Sequence, residues 1–372
     1  MKDRDACIIL NMISGIGSAR LEALTSHFGS PSAILQASAQ EISSVKGVGA
    51  VLAEKVADWK NEVSYEMELE LAEKGGVRII TQYDPEYPEI LKEIYDPPIC
   101  LYVRGELPLP LGQAIAVVGS RRISNYGRKM AKHLSEAAVY AGWTVVSGLA
   151  YGIDAVAHQA ALDAGGKTIA VLGGGLARIH PQDHIPLARE IINNGALISE
   201  FPMEFPVSRQ SFPRRNRIVS GLSKGVLVIE AGLESGALIT ANQALEQGRL
   251  VFAVPGNADN PQAKGSNSLI RQGAKLTESF EDILEEFEFL PGFEGLKKVR
   301  EEAAEYSASH EFSEEEKRII SILESGDTGF DSIAMETGIP AGKLLASLMK
   351  LEMKKTINQL PGKVYSVSAR QP

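Results

Sequence analysis

Two groups of arginines stand beside glycine, serine or aromatic residues, in a pattern suited to binding phosphate. In the first group, Arg121 and Arg122 directly follow Gly119 and Ser120. In the second, the stretch RQSFPRRNR places four arginines within nine positions: Arg209, Arg214, Arg215 and Arg217. Guanidinium groups form charge-assisted, often bidentate hydrogen bonds with phosphate oxygens. Both groups therefore predict a surface that binds a phosphate-bearing ligand.

Two more side chains in the second group suit a nucleic acid. Asn216 offers amide groups to a base edge, and Phe212 offers a ring on which a base can stack. Such stacking contributes roughly 1–3 kcal/mol per base. Two alternatives stay open at this point. Because Phe212 precedes Pro213, its ring is equally suited to filling the core, and the arginines alone are compatible with a solvated face.

Short apolar strands must position these residues. The clearest is a β-branched run at 114–118, which ends at Gly119 and leads into a polar helix that begins at Ser124 or Asn125. A second strand at 143–146 ends at Ser147 and Gly148, and a second helix follows near Ile153. Further strands are predicted at 167–172, 196–199, 226–229 and 250–254.

Strands that alternate with helices predict an α/β protein with a Rossmann-like, doubly wound, mostly parallel sheet. Ligands of such sheets bind outside the carboxyl ends of the strands, where the glycine-containing loops lie. We expect the backbone N–H groups of these loops and of the following helix N-termini to attract an anion. The stretch 200–223, which carries the second arginine group, is predicted to be a loop on the same edge.

Charge and composition leave a nucleic-acid ligand open. The net charge is −9, but residues 113–280 carry 17 Lys and Arg against 12 Asp and Glu. The two cysteines cannot build a disulfide framework or a zinc cluster, which favours a reducing cytoplasm. No apolar run is long enough to span a bilayer, and the first residues do not form a signal peptide. We therefore expect a cytoplasmic protein with no membrane partner.

Catalytic patterns are missing from the sequence. The six histidines form no metal-binding motif, no G-x-S-x-G stretch supports a serine nucleophile, and no loop matches a Walker A or dinucleotide fingerprint. Glu230 ends a predicted strand, where it is suited either to acid–base chemistry or to capping a helix. The sequence thus predicts no catalytic residue, no metal and no cofactor.

The chain divides into segments of different character. Residues 1–74 contain an internal repeat, SGIGSARLEAL and KGVGAVLAEKV, which predicts an N-terminal helical domain of two helix-hairpin-helix (SAM-like) units. Residues 75–290 form the sheet domain, with 75–111 as a bridging segment, and 291–311 are an acidic linker. Residues 312–372 predict a winged helix, with helices at 314–324, 330–337 and 341–353 and a hairpin at 356–367 turning at Pro361-Gly362. Whether either terminal domain binds DNA or only packs is open, because both carry few surplus positive charges.

As a set, these motifs resemble the DNA-processing protein A family, also called DprA or Smf. The resemblance lies in GSR, SGLAYGID, FPRRNRIVSGLS, VIEAGLESGALITA, VFAVPG and SNSLIRQGA, which occur in that order between residues 119 and 274. It implies a bacterial, cytoplasmic protein that binds single-stranded DNA and acts as a homodimer. It further implies that the protein is no enzyme, receives incoming strands in natural transformation and loads the RecA recombinase onto them, which eases the displacement of single-strand binding protein, an indirect partner.

The resemblance also implies a set of DNA-contacting residues. Arg121 should hold a phosphate, with Arg122 beside it and with backbone groups of neighbouring residues donating: Gly119, Ser120, Ser147 and Gly148. The second arginine group should line the same groove through Phe212, Arg214, Arg215, Asn216 and Arg217, and Ser235 and Asn267 complete the expected set. One departure concerns the loop after LGGGL, where the family usually has Tyr-Pro and then a polar or basic residue. This chain has His180-Pro181 and His184 there.

A different class of function remains as an alternative. The same sheet occurs in lysine-decarboxylase-like phosphoribohydrolases, enzymes that process nucleotides with a P-G-G-x-G-T-x-x-E loop. The corresponding stretch here, IEAGLESGALITA, lacks the Pro-Gly-Gly start.

Overall fold

The computed structural model describes residues 1–109, 111–287, 313–339 and, nearer the end of the chain, 344, 347, 348, 351, 352, 356–360 and 364–367. The chain divides into two compact units, Met1–Leu290 and Pro291–Pro372. Within the described ranges, no helix is long and apolar enough to cross a membrane.

The first unit begins with a helical region of seven helices. Their bounds are α1 (Asp3–Met12), α2 (Ser18–Phe28), α3 (Pro31–Ile34), α4 (Ala39–Ser43), α5 (Ala50–Ala57), α6 (Trp59–Glu62) and α7 (Tyr65–Lys74). The two glycine hairpins of the internal repeat precede α2 and α5. Gly15 and Gly47 have φ angles of +103° and +88°, which residues with a side chain disfavour. Arg20 joins the hairpins, since its side chain donates to the carbonyls of Gly15 (2.5 Å) and Gly47 (3.1 Å).

A nine-stranded sheet forms the centre of the first unit, in the order β1-β2-β6-β5-β4-β3-β7-β8-β9. The strands are β1 (Val77–Thr81), β2 (Cys100–Gly105), β3 (Ala114–Val118), β4 (Thr144–Ser147), β5 (Thr168–Val171), β6 (Gly195–Ser199), β7 (Gly225–Val228), β8 (Leu250–Ala253) and β9 (Lys275–Leu276). The seven strands from β6 to β9 pair in parallel, while β1 pairs antiparallel with β2 and β2 antiparallel with β6. The predicted mostly parallel sheet is confirmed.

Helices cover both faces of this sheet. They are α8 (Glu89–Lys92), α9 (Asn125–Tyr140), α10 (Ile153–Asp163), α11 (Ile185–Asn193), α12 (Ser211–Gly221), α13 (Gly236–Glu246), α14 (Lys264–Arg271) and α15 (Glu281–Phe287). One core cluster joins the sheet to the N-terminal helical region, for example through Ile8 and Tyr102. A second contains the buried side chains of α12, α13 and α14, such as Ile218 and Leu269.

The strand order places a crevice at β3. From β3 the chain adds β4, β5 and β6 on one side and then returns to add β7, β8 and β9 on the other. The loops that follow β3 and β7 therefore lead away in opposite directions and leave an opening at the carboxyl edge, as in other doubly wound sheets.

The second unit contains α16 (Glu314–Glu324), α17 (Phe330–Thr337) and a three-stranded sheet. Its strands β10 (Thr328–Gly329), β11 (Ile357–Leu360) and β12 (Val364–Val367) pair in the order β10-β12-β11. The bounds of both helices are as predicted. Most of the predicted helix at 341–353, the turn at Pro361-Gly362 and the acidic linker at 291–311 lie outside the described residues.

Candidate nucleic-acid interface

A groove of about 690 Å³ opens at the carboxyl edge of the sheet, at the crevice beside β3. Three loops and two helix starts form it. It is lined by Gly119, Ser120, Arg121 and Arg122 after β3, by Gly148 after β4, by Arg209, Phe212, Arg215 and Asn216 at α12, and by Ser235 and Gly236 at α13. Gln262, 143 positions after Gly119, lines the groove as well, so residues far apart in the sequence meet at one edge, as the parallel sheet predicts.

Arg121 and Phe212 lie side by side in the groove. The centre of the Arg121 guanidinium lies 5.1 Å from the centroid of the Phe212 ring, within the range of a cation–π contact. Arg121 is exposed and Phe212 partly exposed, so the ring is not simply a core residue. Among the residues that the structure describes, the side chains of Arg121, Arg122 and Arg209 make no ion pair and no hydrogen bond. Three guanidinium groups are therefore available to a ligand.

Tight packing fixes the loop that carries Arg121. The Ser120 N–H donates to the carbonyl of Glu230 (2.7 Å), and the Ser120 hydroxyl lies 3.1 Å from Oε1 of Gln262. A Cβ on Gly119 would lie 2.5 Å from Cγ1 of Ile153 and 2.9 Å from the Glu230 carbonyl oxygen, so only glycine fits there. Gln262 holds this loop from a distant part of the chain.

The loop after β4 is equally constrained. The buried Ser147 hydroxyl donates to the Val117 carbonyl (2.6 Å), and the Gly148 N–H donates to Oδ2 of Asp154 (3.1 Å). A Cβ on Gly148 would overlap the guanidinium of Arg215. The backbone N–H groups of Ser120 and Gly148 therefore already have partners inside the protein, which argues against their donation to DNA, and the DNA contacts expected of Gly119 and Ser147 stay predictions.

The Glu230 carboxylate binds the backbone at the start of α9 in a similar way. It accepts from the Ser124 N–H (3.0 Å) and from the Asn260 amide (3.5 Å), and only 2 % of the residue is exposed. Ser124 caps the helix by accepting from the Gly127 N–H (3.0 Å). A buried carboxylate that holds a helix start in place accounts for this residue without acid–base chemistry. In the described part of the chain, no cluster of His, Cys, Asp and Glu could hold a metal ion.

The prediction of a loop around the second arginine group is wrong, because Ser211–Gly221 is the helix α12. Pro213 stands in its first turn, where a missing N–H leaves no hydrogen bond unmade. The helical turn sends neighbouring arginines in different directions. Arg215 alone of the three arginines in this helix lines the groove, and Arg214 and Arg217 do not reach it.

Arg215 lies under the groove rather than in it. It is 4 % exposed, and its Nη1 donates to the Val171 carbonyl (2.6 Å). Burial lowers the pKa of Arg215, although the nearby Asp154 charge opposes this shift. Burial likewise raises the pKa of Asp154 against the effect of the Arg215 charge. These two residues form the floor of the groove.

Arg217 belongs to a buried ion network on the far side of α12. It is 9 % exposed, and it contacts Oε2 of Glu200 (2.7 Å) through Nη2 and Oδ2 of Asp96 (2.9 Å) through Nε. Asp96 also accepts from the Ser18 hydroxyl at the start of α2. Burial would raise the pKa of Asp96, but the Arg217 charge and the hydrogen bonds from Ser18 and Arg217 hold it below its ordinary value. The network ties the N-terminal helical region and the bridging segment to α12.

Arg214 joins this network from the surface. Its Nη2 lies 3.4 Å from Oε2 of Glu200, and its guanidinium lies 4.9 Å from the centroid of the Phe201 ring.

The remaining predicted residues fall into two classes. Asn216 and Ser235 line the groove, with the Asn216 amide 3.5 Å from the Gly236 carbonyl and the Ser235 hydroxyl accepting from the Ala237 N–H (3.3 Å). Asn267 instead holds the loop after β8, through its hydrogen bonds with the backbone of Gly256 at 2.8 and 3.1 Å. Sequence reasoning missed Asp154 and Gln262. The first stands in the quoted SGLAYGID motif, and no local pattern marks the second.

Comparisons with known proteins agree with this architecture. Residues 78–288 match the family described as DNA recombination-mediator protein A, residues 8–58 match a SAM-like helix-hairpin-helix tandem, and residues 302–363 match the DprA winged helix domain. Protein Smf of Escherichia coli is 43 % identical over 277 residues, which is 74 % of each chain.

Two solved structures are similar as well. The X-ray structure of DNA processing protein A from Streptococcus pneumoniae matches with a TM-score of 0.67 and 34 % identity, covering 78 % of this chain and 99 % of that one. DNA processing protein A from Helicobacter pylori, described in terms of its single-stranded DNA binding mode, matches with a TM-score of 0.52 and 27 % identity. That match covers 57 % of this chain and 97 % of the other.

Proposed function

This chain belongs to the DNA recombination-mediator protein A (DprA/Smf) family, and we propose that it binds single-stranded DNA in the groove at the carboxyl edge of its sheet. The observation that carries the proposal is the Arg121–Phe212 pair. An exposed guanidinium without an acidic partner among the described residues stands 5.1 Å from a partly exposed ring, in a groove that also contains Arg122 and Arg209.

The geometry favours a single strand over a duplex. In single-stranded DNA the base faces are accessible, so a base can stack on Phe212 while the neighbouring phosphate pairs with Arg121. A base inside a duplex is already stacked on its neighbours and offers no face to the ring. Stacking and phosphate contacts are both tolerant of sequence, so we expect binding with little base preference.

We propose that binding occurs without chemical turnover. Two carboxylates at the groove, Glu230 and Asp154, are buried and accept hydrogen bonds from backbone N–H groups, while a third, Glu234, is exposed on the groove wall. Neither buried carboxylate is placed to activate water or a nucleophile, and the Glu234 side chain has no hydrogen bond or ion pair with a described residue that would orient it for that role. Incubation with nucleoside monophosphates should therefore release no base, and a release that followed the protein through purification would favour the phosphoribohydrolase-like alternative.

Membership of the family extends the proposal to partners. We propose that the protein acts in the cytoplasm as a homodimer, receives incoming strands in natural transformation and loads RecA onto them while single-strand binding protein is displaced. RecA ATPase activity on DNA that is already coated with single-strand binding protein should rise when this protein is added. No increase would refute the loading step and leave strand binding unaffected.

The test of strand binding is a fluorescence anisotropy titration across salt. Arg121→Ala should weaken binding of an oligothymidylate and reduce the slope of log K against log salt by roughly 0.7, the value for one lost phosphate contact on a single strand. Lys167→Ala is the matched control, because it removes one exposed positive charge just before β5, at the opposite edge of the sheet. An Arg121→Ala protein that is folded and binds with unchanged affinity and slope would refute the proposal.

A further inference from the structure

The sequence around the groove contains an unusually long stretch without acidic residues. From Leu107 to Ser135 the chain carries no Asp or Glu and five Lys or Arg, although the whole protein has a net charge of −9. Arg121 and Arg122 belong to the groove. The other three, Arg128, Lys129 and Lys132, lie in the first half of α9.

The burial pattern of α9 places these three side chains on its solvent side. The buried residues are Gly127, Ala131, Leu134, Ser135 and Ala138, which recur at helical spacing and face the rest of the unit. Arg128, Lys129 and Lys132 are all exposed. Lys132 pairs with Glu136 at 3.7 Å, whereas the side chains of Arg128 and Lys129 have no ion pair or hydrogen bond with any described residue.

This cationic face is continuous with the groove. Arg122 lines the groove, and Ser124, two residues later, is the N-cap of α9. At 1.5 Å per residue, Lys132 lies only about 12 Å along the helix from that N-cap. The positive charge thus extends from the groove along the first two turns of the helix, whose own sequence has no carboxylate before Glu136, while the Glu230 carboxylate at the helix start is buried.

We propose that the first two turns of α9, represented by Arg128, Lys129 and Lys132, form a phosphate track that binds the part of a single strand extending beyond the groove. The positive charge of this face complements a polyanion. Because the face begins next to Arg122, which lines the groove, we expect it to bind the same strand that the groove holds. The track rests on the proposed function of the groove, because it takes the continuation of a strand that the groove holds.

The test compares oligothymidylates of two lengths, about 5 and about 20 nucleotides, with the full chain. Arg128→Ala/Lys129→Ala should bind the short oligonucleotide as the unaltered protein does. Its affinity for the long one should fall by roughly 2- to 30-fold, as expected for two exposed charge contacts, and its salt slope should fall by up to about 1.4. The control Lys167→Ala/Lys224→Ala removes the same charge just before β5 and β7, at the opposite edge of the sheet.

Three results would overturn the track. One is unchanged binding of the long oligonucleotide, and another is an equal loss for both lengths or for the control variant. The third is a loss confined to a 20-base-pair duplex, which would make the face a duplex site. Arg121→Ala separates this inference from the groove itself. If Arg121→Ala weakens binding of the short oligonucleotide, the groove is supported whatever the α9 variant does. If Arg121→Ala has no effect on binding, both the groove and the track are refuted.

Discussion

Replacing Arg217 should distinguish a structural arginine from one that binds DNA. Arg217→Met keeps an apolar stem of similar length and removes the guanidinium that contacts Glu200 at 2.7 Å and Asp96 at 2.9 Å. Glu200 is 5 % exposed, and its Oε1 has no hydrogen-bond partner among the described residues. The substitution therefore leaves a buried carboxylate with one weak partner, Arg214 at 3.4 Å.

The expected cost follows from that burial. Removing one partner of a buried ion pair usually costs about 3–5 kcal/mol in the free energy of unfolding, because the remaining charge is not compensated. For a unit of this size, 1 kcal/mol corresponds to roughly 2 °C in melting temperature, which gives a decrease of roughly 6–10 °C. The double variant Arg217→Met/Glu200→Gln removes the uncompensated charge as well, so it should melt above the single variant.

DNA binding of the same variant gives the discriminating measurement. Since Arg217 does not line the groove, its loss should leave the salt slope of single-strand binding unchanged at a temperature where the protein is folded. Arg121→Ala should show the opposite, a reduced slope with little change in melting temperature. A slope reduced by roughly 0.7 in Arg217→Met, with an unchanged melting temperature, would refute this reasoning and make Arg217 a phosphate ligand.

Two other measurements test the groove and its support. Phe212→Ala should weaken single-strand binding roughly 5- to 150-fold, the equivalent of 1–3 kcal/mol of stacking, without changing the salt slope, whereas Phe212→Tyr should retain affinity; equal affinity of the alanine variant would exclude stacking on this ring. His158 is buried, and burial together with the Arg215 and His184 charges lowers its pKa to about 3. Because this folded pKa lies below the ordinary value of 6.5, the stabilisation from neutral His158 is complete above about pH 6.5 and is lost as the pH falls towards 3. Denaturant unfolding measures the free energy of unfolding at pH 7 and at pH 4.5. Between these pH values, His158→Asn should lose less of this free energy than the unaltered protein, and equal losses would contradict the lowered pKa of His158.

Most of the sheet could be predicted from the sequence, because buried parallel strands are short β-branched runs that end at glycine or serine. The strand predicted at 114–118 has those bounds in the structure, and the other predicted strands differ from the observed ones by at most one residue at either end. Lys275–Leu276 was missed, since two residues are too few to show a pattern. The helix α12 was missed for a different reason. Its buried face includes Arg215 and Arg217, so the usual apolar spacing of a helix is hidden.

The location of the groove was predictable, but the exposure of each arginine was not. Strand order and glycine-containing loops place the first arginine group and α12 at one edge. Which guanidinium is free depends on acidic partners far away in the sequence. Asp96 stands 121 positions before Arg217, and no local pattern connects the two. From the sequence, Arg121 and Arg217 are equally good candidates for binding phosphate. In the fold, Arg121 is exposed, whereas Arg217 is buried and pairs with Glu200 and Asp96.

The buried carboxylates explain why the groove should depend on guanidinium groups and read little sequence. Glu230 binds the N–H of Ser124 at the start of α9, and Asp154 binds the N–H of Gly148, so these two fixed donors are already used inside the protein. The Asn216 amide, a side chain suited to a base edge, is directed towards the Gly236 carbonyl at 3.5 Å, and Oε1 of Gln262 lies 3.1 Å from the Ser120 hydroxyl. What remains for a ligand is a ring that stacks with any base and long, exposed arginine side chains that meet any phosphate. Such a groove binds through charge, so its affinity should fall steeply with salt while changing little between oligonucleotides of equal length and different sequence.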